Sequence, residues 1–489
     1  MRLDAEQGIR GSMKTRVEDL QTKIVCTIGP ASREAGVLEN MISAGMDVAR
    51  LNAGHSSPEE VARSISLIRE ASDRVGRRVS IMLDLQGPRV RVGRLKDSPR
   101  TISTGEEVVF TTTMDQDPGQ RIPVSHSGLS SEVKPGDRVL IDDGLLRLVV
   151  MGVRGEDITC LVEEGGILRQ GKGMNFPGVE LGLPSYTHRD KEFLATGLDH
   201  GIDWIALSFV REKKDVLAIK EQVRALGFIV PVMAKVEKSE AVENIDSVLE
   251  AADGVMVARG DLGVELETEE VPLVQKMIIR KALLAARPVL TATQMLESMI
   301  TSSRPTRAEA TDVANAILDG TDAVMLSAET AIGHDPAKTV ETMSRIARRA
   351  EMEIDHIGML KNQEKLACQG PAEAVGYAAC RIASDVSAQA IITLTRSGYT
   401  ARLISRHRPR ARIIALTPNT TVANGMSMLW GVKSHLMPFM HDLKQAFTSA
   451  LKVCEAEGLV KKGETVVMTG GFLEDKPGTT NTINVGVVE

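Results

Sequence analysis

Two opposite charges close an apolar run in PVMAKVEKSE, residues 231–240. Alternate residues of a strand share a face, so Lys235 and Glu237 point the same way where the chain should be leaving the core. Taken alone, such a pair reads as a structural ion pair more readily than as a reactive one, because structural pairs are the commoner kind. Residues at the ends of other runs shift that balance. Glu237 and Asp261 close consecutive runs, and two carboxylates that leave coordination positions open suit a hard cation such as Mg²⁺. Arg50 and Lys235 add positive charge beside it, which suits the equatorial oxygens of a phosphoryl group in transfer. The backbone amides of Gly260 and Asp261, in RGD ahead of a helix, offer a site for a carboxylate. No Walker-type glycine loop occurs, so a phosphate would have to bind at these strand ends.

Eight short apolar runs must position these residues: KIVCTIG, MDVARLNAG, VSIMLDLQG, IDWIALSFV, PVMAKVE, GVMVARGD, PVLTATQ and AVMLSAET. Most precede helix-period segments, among them EAGVLENMISAG, PEEVARSISLIREASDRVG, REKKDVLAIKEQVRALG, AVENIDSVLEAA and RPTRAEATDVANAILDG. Such alternation predicts parallel βα units closed into a (β/α)8 TIM barrel, whose polar residues should gather at the C-terminal strand ends. Seven of the runs end that way: Arg50, Asn52 and His55; Asp84; Ser208; Lys235 and Glu237; Arg259 and Asp261; Thr293 and Gln294; Ser327 and Glu329. Thr293, Ser208 and Ser327 would each serve equally as a helix N-cap, and His55 as a polar rim residue. The whole set is harder to explain that way.

After Gly87-Pro88 the helix period stops, and short strands take over in RVRVGRL, EEVVFTTT, DRVLIDD and LLRLVVMGV. Turn signals punctuate them at KPGD (134–137) and DDG (142–144). From about residue 356 the βα alternation resumes with AQAIITLT, ARIIALT and ETVVMTG. The expected division is an N-terminal extension, 1–20; a barrel, 21–88 and 187–355; an inserted small β-barrel domain, 89–186; and a C-terminal α/β domain, 356–489.

A formal net charge of −6 gives no reason to expect nucleic acid or an anionic membrane as partner. The N-terminal stretch lacks an apolar h-region, and no run approaches the roughly 18 apolar residues of a membrane span. Five scattered cysteines without CxxC spacing argue against a disulfide framework and a zinc site. A soluble, cytoplasmic protein is expected.

The chain closely resembles the pyruvate kinase family, from KIVCTIGPAS (23–32) nearly to the C-terminus. The most specific portions are MDVARLN, KVEKSEAVENIDSVLEAADGVMVARGDLGVE and TATQMLESMITSSRPTRAEATDVANAILDGTDAVMLSAET. The resemblance implies glycolytic transfer of a phosphoryl group from phosphoenolpyruvate to ADP, giving pyruvate and ATP, by a Mg²⁺-dependent homotetramer. It makes the inserted domain a mobile lid and the last domain an effector-binding domain. Carried over by position, Lys235 stabilises the migrating phosphoryl group while Glu237 and Asp261 hold Mg²⁺. Arg50 contacts the phosphate, and Gly260, Asp261 and Thr293 hold the substrate carboxylate, with Ser208 among the substrate contacts. Thr293 lies where the enolate is protonated, through water. Asn52, His55, Arg91 and Lys172, the last in GKGMNFPG, match nucleotide-side positions. On this reading Lys235 and Glu237 serve different groups and do not neutralise each other.

Three further expectations follow. TRSGYTARL (395–403) reads as a phosphate cradle for a phosphorylated allosteric effector through Thr395, Ser397 and Thr400, the alternative being an ordinary capped helix. The basic stretch SRHRPRAR (405–412) could attract anionic effectors or form a subunit contact, but reads first as a solvated charged face. Many family members hold K⁺ through an Asn side chain, a Ser hydroxyl, an Asp side chain and a Thr carbonyl, near a Glu. Here Asn52 and Asp84 remain, Gly54 stands for the Ser, Leu85 for the Thr, and Arg89 in LQGPR for the Glu. A guanidinium stays charged at any relevant pH, so Arg89 should act as an internal cation and K⁺ should not be required. Rival readings are a Mg²⁺-dependent barrel lyase acting through a pyruvate enolate, and a sensor that binds a sugar phosphate.

Overall fold

The computed structural model describes residues 20–96, 98–113, 121–184, 186–363, 370–471 and 479–489. Apart from Leu20, the expected N-terminal extension lies outside the described residues, as does Cys368. Eight parallel strands form a closed barrel: β1 Lys23–Thr27, β2 Val48–Asn52, β3 Ser80–Asp84, β4 Trp204–Leu207, β5 Val232–Val236, β6 Gly254–Ala258, β7 Val289–Ala292 and β8 Ala323–Leu326. These are the eight runs of the sequence. Nearly every strand residue is buried, which is why the runs are continuously apolar and do not alternate. The segment AVENIDSVLEAA divides into helices Ser239–Glu243 and Ile245–Ala251, with Asn244 between them. Among the described residues, no helix is long and apolar enough to cross a membrane.

Contacts gather the chain into two compact units. One comprises residues 51–65 and 82–294 and includes β4 to β7 with the inserted β domain. That domain's seven-stranded sheet runs Val90–Arg91, Gly173–Asn175, Arg138–Ile141, Leu146–Arg154, Asp157–Glu164, Glu107–Thr111 and Ile122–Pro123. Phe110, Ile141, Leu148, Val150 and Ile158 are part of its core. The strand Asp157–Glu164 is absent from the sequence reading, although Ile158, Cys160 and Val162 alternate inward with period two. In the turn after Ile141, Asp142, Asp143 and Gly144 all have positive φ, at 55°, 56° and 86°.

The other unit carries the described residues up to Arg50, with 66–81 and 295–489. Its C-terminal sheet consists of β9 Ala390–Leu394, β10 Arg412–Thr417, β11 Val432–Leu436, β12 Thr465–Gly470 and β13 Thr482–Val487, in the order β11-β10-β9-β12-β13. Only β9, β10 and β12 were legible as apolar runs. In VKSHL of β11 just one residue is fully buried, and β13 is an antiparallel edge strand.

The stretch SRHRPRAR corrects an expectation, because most of it is interior. Ser405, His407 and Arg408 are buried, Arg408 to 1% exposure. The Arg408 guanidinium lies 3.0 Å from Asp322 Oδ2 and donates to Asp322 Oδ1 at 3.1 Å and to the Gly320 carbonyl at 2.7 Å. It also lies over the Trp430 ring at 5.1 Å. Asp322 immediately precedes β8, so Arg408 is interior because it docks on a buried acid. Burial and the flanking Arg406 and Arg408 charges hold His407 neutral, with a pKa down at about 3.

Candidate active site

Lys235, next to last on β5, is nine-tenths buried, and its Nζ sits 2.8 Å from Glu237 Oε1 and 3.2 Å from Asp84 Oδ1. It also donates to Ser208 Oγ at 2.7 Å. The expectation that Lys235 and Glu237 do not neutralise each other is therefore corrected. Two carboxylates and an ammonium cannot stay unpaired in so dry a place, and at these distances the ammonium offsets both. Burial pushes the Glu237 carboxyl up, the Lys235 ammonium opposes that, and the Asp261 charge adds to the rise. Thus Glu237 and Asp261 lie within electrostatic reach of each other. Two hard oxygen donors of this kind are chemically suited to Mg²⁺.

Positive-φ backbone occurs at two of the barrel strand ends. Phe209, after β4, has φ 54° and donates its N–H to Glu237 Oε2 at 2.8 Å. After β7, Thr293 and Gln294 have φ 70° and 53°. A β-branched residue there costs on the order of 1–3 kcal/mol, sustained only if the surroundings hold it. Arg259 supplies that hold, donating to the Thr293 carbonyl at 2.6 Å and the Ala292 carbonyl at 3.3 Å. Its guanidinium is thereby committed to the turn. The Thr293 hydroxyl accepts the Gly260 N–H at 2.8 Å and donates to the Ala292 carbonyl at 2.6 Å, so the expected carboxylate donors are brought together. RGD forms the first turn of helix Arg259–Glu265 and does not precede it.

Arg89 is mostly covered, its Nη2 lying 2.8 Å from Asp143 Oδ1 and 3.9 Å from Asp261 Oδ1. It passes close over Gly173, where a Cβ would stand 2.2 Å from Arg89 Nε. Lys172 pairs with Asp142 at 2.7 Å, and Arg91 donates to the Gly171 carbonyl at 2.8 Å. Asp142 and Asp143, read from sequence only as a turn, are thus the counter-charges of two candidate cations. Arg89 and Arg91 also line a cleft of about 430 Å³ with His126, Pro184 and Arg189. Burial, then Arg89 and Arg189, hold the Arg91 pKa below its usual value. Sequence reasoning missed Arg189 because it lies on helix His188–Asp199, away from any strand end.

The oxygens considered for a monovalent cation have protein donors. Asn52 Oδ1 accepts the Gly54 N–H at 2.9 Å, Asp84 Oδ1 faces Lys235, and the Leu85 carbonyl accepts the Ser208 hydroxyl at 2.7 Å. His55 is exposed in the 3-10 turn Ala53–His55.

In the other unit, Arg50 is buried on β2 and donates to the Thr27 hydroxyl of β1 at 2.9 Å. Glu329 accepts the amides of Leu296 at 3.1 Å and Ser327 at 2.6 Å, which makes it a structural pin. In the C-terminal loop the Thr395 hydroxyl accepts the Gly398 N–H at 2.9 Å, and the Thr400 hydroxyl is bonded to that of Thr480. Ser397 is exposed, and Arg396 stacks over Phe439 at 5.2 Å.

Comparison with known proteins agrees along nearly the whole chain. Residues 20–340 match the family described as pyruvate kinase, barrel domain, and residues 373–486 match pyruvate kinase, alpha/beta domain. A pyruvate kinase from Geobacillus stearothermophilus is 43% identical over 471 residues, covering 96% of this chain and 80% of the relative. One from Clostridium acetobutylicum is 40% identical over 478 residues, covering 96% of this chain and all of the relative. A crystal structure of a pyruvate kinase from Cryptosporidium parvum superposes with a TM-score of 0.91 at 38% identity, over 97% of each chain.

Proposed function

Because this chain belongs to the pyruvate kinase family, we propose that it breaks the enol C–O–P link of phosphoenolpyruvate and passes the phosphoryl group to ADP, giving ATP and, after protonation of the enolate, pyruvate. The observation that carries this reading is the buried cluster at the end of β5, with Lys235 among Glu237, Asp84 and Ser208. Glu237 and Asp261 would hold Mg²⁺, which supplies Lewis-acid charge to the substrate's oxygens. Lys235 turns from Glu237 to the migrating phosphoryl group, and Arg50 holds the phosphate. The Gly260 and Asp261 amides and Thr293 orient the carboxylate, and Thr293 also orders the water that delivers a proton to the enolate. Asn52, His55, Arg91 and Lys172 meet the nucleotide, Lys172 exchanging Asp142 for phosphate as the lid engages.

The chain divides in this reading into barrel (21–88, 187–355), lid (89–186) and effector domain (356–489). It works in the cytoplasm as a homotetramer. Support for self-association is the edge strand β13, whose Val485 and Val487 are 46% and 57% exposed. Following NADH loss in a lactate dehydrogenase-coupled assay with phosphoenolpyruvate, ADP and Mg²⁺ tests the reaction. Turnover should require ADP; pyruvate release without ADP would favour the lyase, and none at all the sensor.

Independence from K⁺ belongs to the same proposal. Arg89 stands 3.9 Å from Asp261, and donors already occupy the oxygens of Asn52, Asp84 and Leu85. In a tetramethylammonium buffer with Mg²⁺, activity should be full, and KCl added at constant ionic strength should leave it unchanged. Arg89→Glu should lower it by at least about tenfold, since two charge units change beside the site. Large activation of the unaltered enzyme by KCl would falsify the internal cation.

A phosphorylated metabolite should activate through the 395–400 loop by lowering the apparent KM for phosphoenolpyruvate, with a coupling of roughly 1–3 kcal/mol. Thr395 and Thr400 are buried and hydrogen-bonded and the Gly398 N–H is spent on Thr395, so the exposed Ser397 is the group we expect a phosphate to meet first. Titration with AMP, ribose 5-phosphate, glucose 6-phosphate and fructose 1,6-bisphosphate checks this. Indifference to all four counts against the site.

A further inference from the structure

Asp84, Ser208 and Lys235 come from three adjacent strands. Asp84 ends β3, Ser208 follows β4, and Lys235 is next to last on β5; the ladders pair Ala206 with Asp84 and Leu207 with Ala234. Strands therefore fix Asp84 and Lys235 relative to each other, and Ser208 is the first residue past the strand between them. Asp84 and Glu237 are each 2% exposed, and both approach the one ammonium, at 3.2 Å and 2.8 Å.

The two carboxylates have different prospects once substrate arrives. Glu237 must turn toward a divalent ion, which removes or weakens the shorter of Lys235's two ion pairs. Asp84 has no such second task at the reacting atoms. A buried carboxylate deserted by its counter-charge is strongly unfavourable, so Asp84 tethers the ammonium at the moment Glu237 releases it. Ser208 fixes the direction. Its hydroxyl proton goes to the Leu85 carbonyl at 2.7 Å in preference to Asp84 Oδ1 at 3.5 Å, leaving its lone pairs toward Lys235 Nζ at 2.7 Å.

We propose that Asp84, assisted by Ser208, is the positioning residue that keeps Lys235 aimed when Glu237 is taken by the metal. The proposal rests on the phosphoryl-transfer reading above. It gives Asp84 a task different from ligation of a monovalent ion, which its place in the resemblance would suggest. On this proposal the effect of Asp84 on the reaction passes through the ammonium that it meets at 3.2 Å.

That last property makes a double-mutant cycle decisive. Turnover of the unaltered enzyme is measured first, and its absence would overturn the phosphoryl-transfer reading itself. With turnover present, Asp84→Asn should lower kcat on the order of 10- to 100-fold, as expected of a misplaced catalytic group, while KM for phosphoenolpyruvate changes less than about threefold. In a Lys235→Met background the same substitution should change the residual rate by less than about twofold, since nothing remains to position. Added KCl should not restore the single variant. A normal kcat in Asp84→Asn, an undiminished effect without Lys235, or rescue by KCl would each overturn the proposal. If melting shows that Asp84→Asn does not fold, Ser208→Ala takes its place in the same cycle, with the same non-additivity expected and additivity overturning it.

Discussion

Lys235→Met should lose kcat by on the order of 10²-fold or more, with a much smaller change in KM for phosphoenolpyruvate. An ammonium that bridges a migrating phosphoryl group earns most of its interaction in the transition state, where charge is spread over the equatorial oxygens. On the proposed reading, ground-state binding leans instead on Arg50, the metal and the carboxylate donors. The buried cluster sharpens the expectation, because Met removes the positive charge that lies 2.8 Å from Glu237 and 3.2 Å from Asp84. Steady-state kinetics in the coupled assay read the split directly. Near-normal kcat in this variant would remove Lys235 from the mechanism.

Arg408→Met should lower folding stability by about 3–5 kcal/mol, the cost typical of stranding one member of a buried ion pair. Asp322 is 3% exposed and would keep its bond from the Trp430 N–H, at 3.1 Å, but lose the guanidinium. Adding Asp322→Asn should recover most of the loss, since the amide keeps an acceptor for Trp430 without a charge to bury. The midpoint of the first urea transition, followed by far-UV circular dichroism, makes the comparison without assuming a single two-state step. Equal midpoints for Arg408→Met and the unaltered chain would show that the pair contributes nothing.

The barrel was legible because each of its strands is buried on both faces and must be written as an uninterrupted apolar run between Gly, Asp or Ser punctuation. The polar residues at the strand ends were legible for the complementary reason: Lys235, Glu237 and Asp84 stop runs that would otherwise continue. Their mutual contact was not. Residues distant in sequence meet only when adjacent strands set their register, and nothing in KVE tells Lys235 that Asp84 stands 3.2 Å away. Arg408 shows the same limit from the other side. Charge density marks SRHRPRAR as a surface until Asp322, on a different element, is seen to meet it. Short edge strands such as Val432–Leu436 escape because one buried side chain leaves no periodic signal.

The close passage of Arg89 over Gly173 constrains the order in which such a site can be acquired or transplanted. A methyl group at 173 would meet Nε at 2.2 Å and Cζ at 2.7 Å, driving the guanidinium off Asp143 and away from Asp261. Glutamate at 89, being shorter, would not make the same demand on 173. An engineer moving Arg89 into another chain of this fold must therefore secure the bare backbone first and the arginine second. Reversing those steps passes through an intermediate whose arginine cannot be seated.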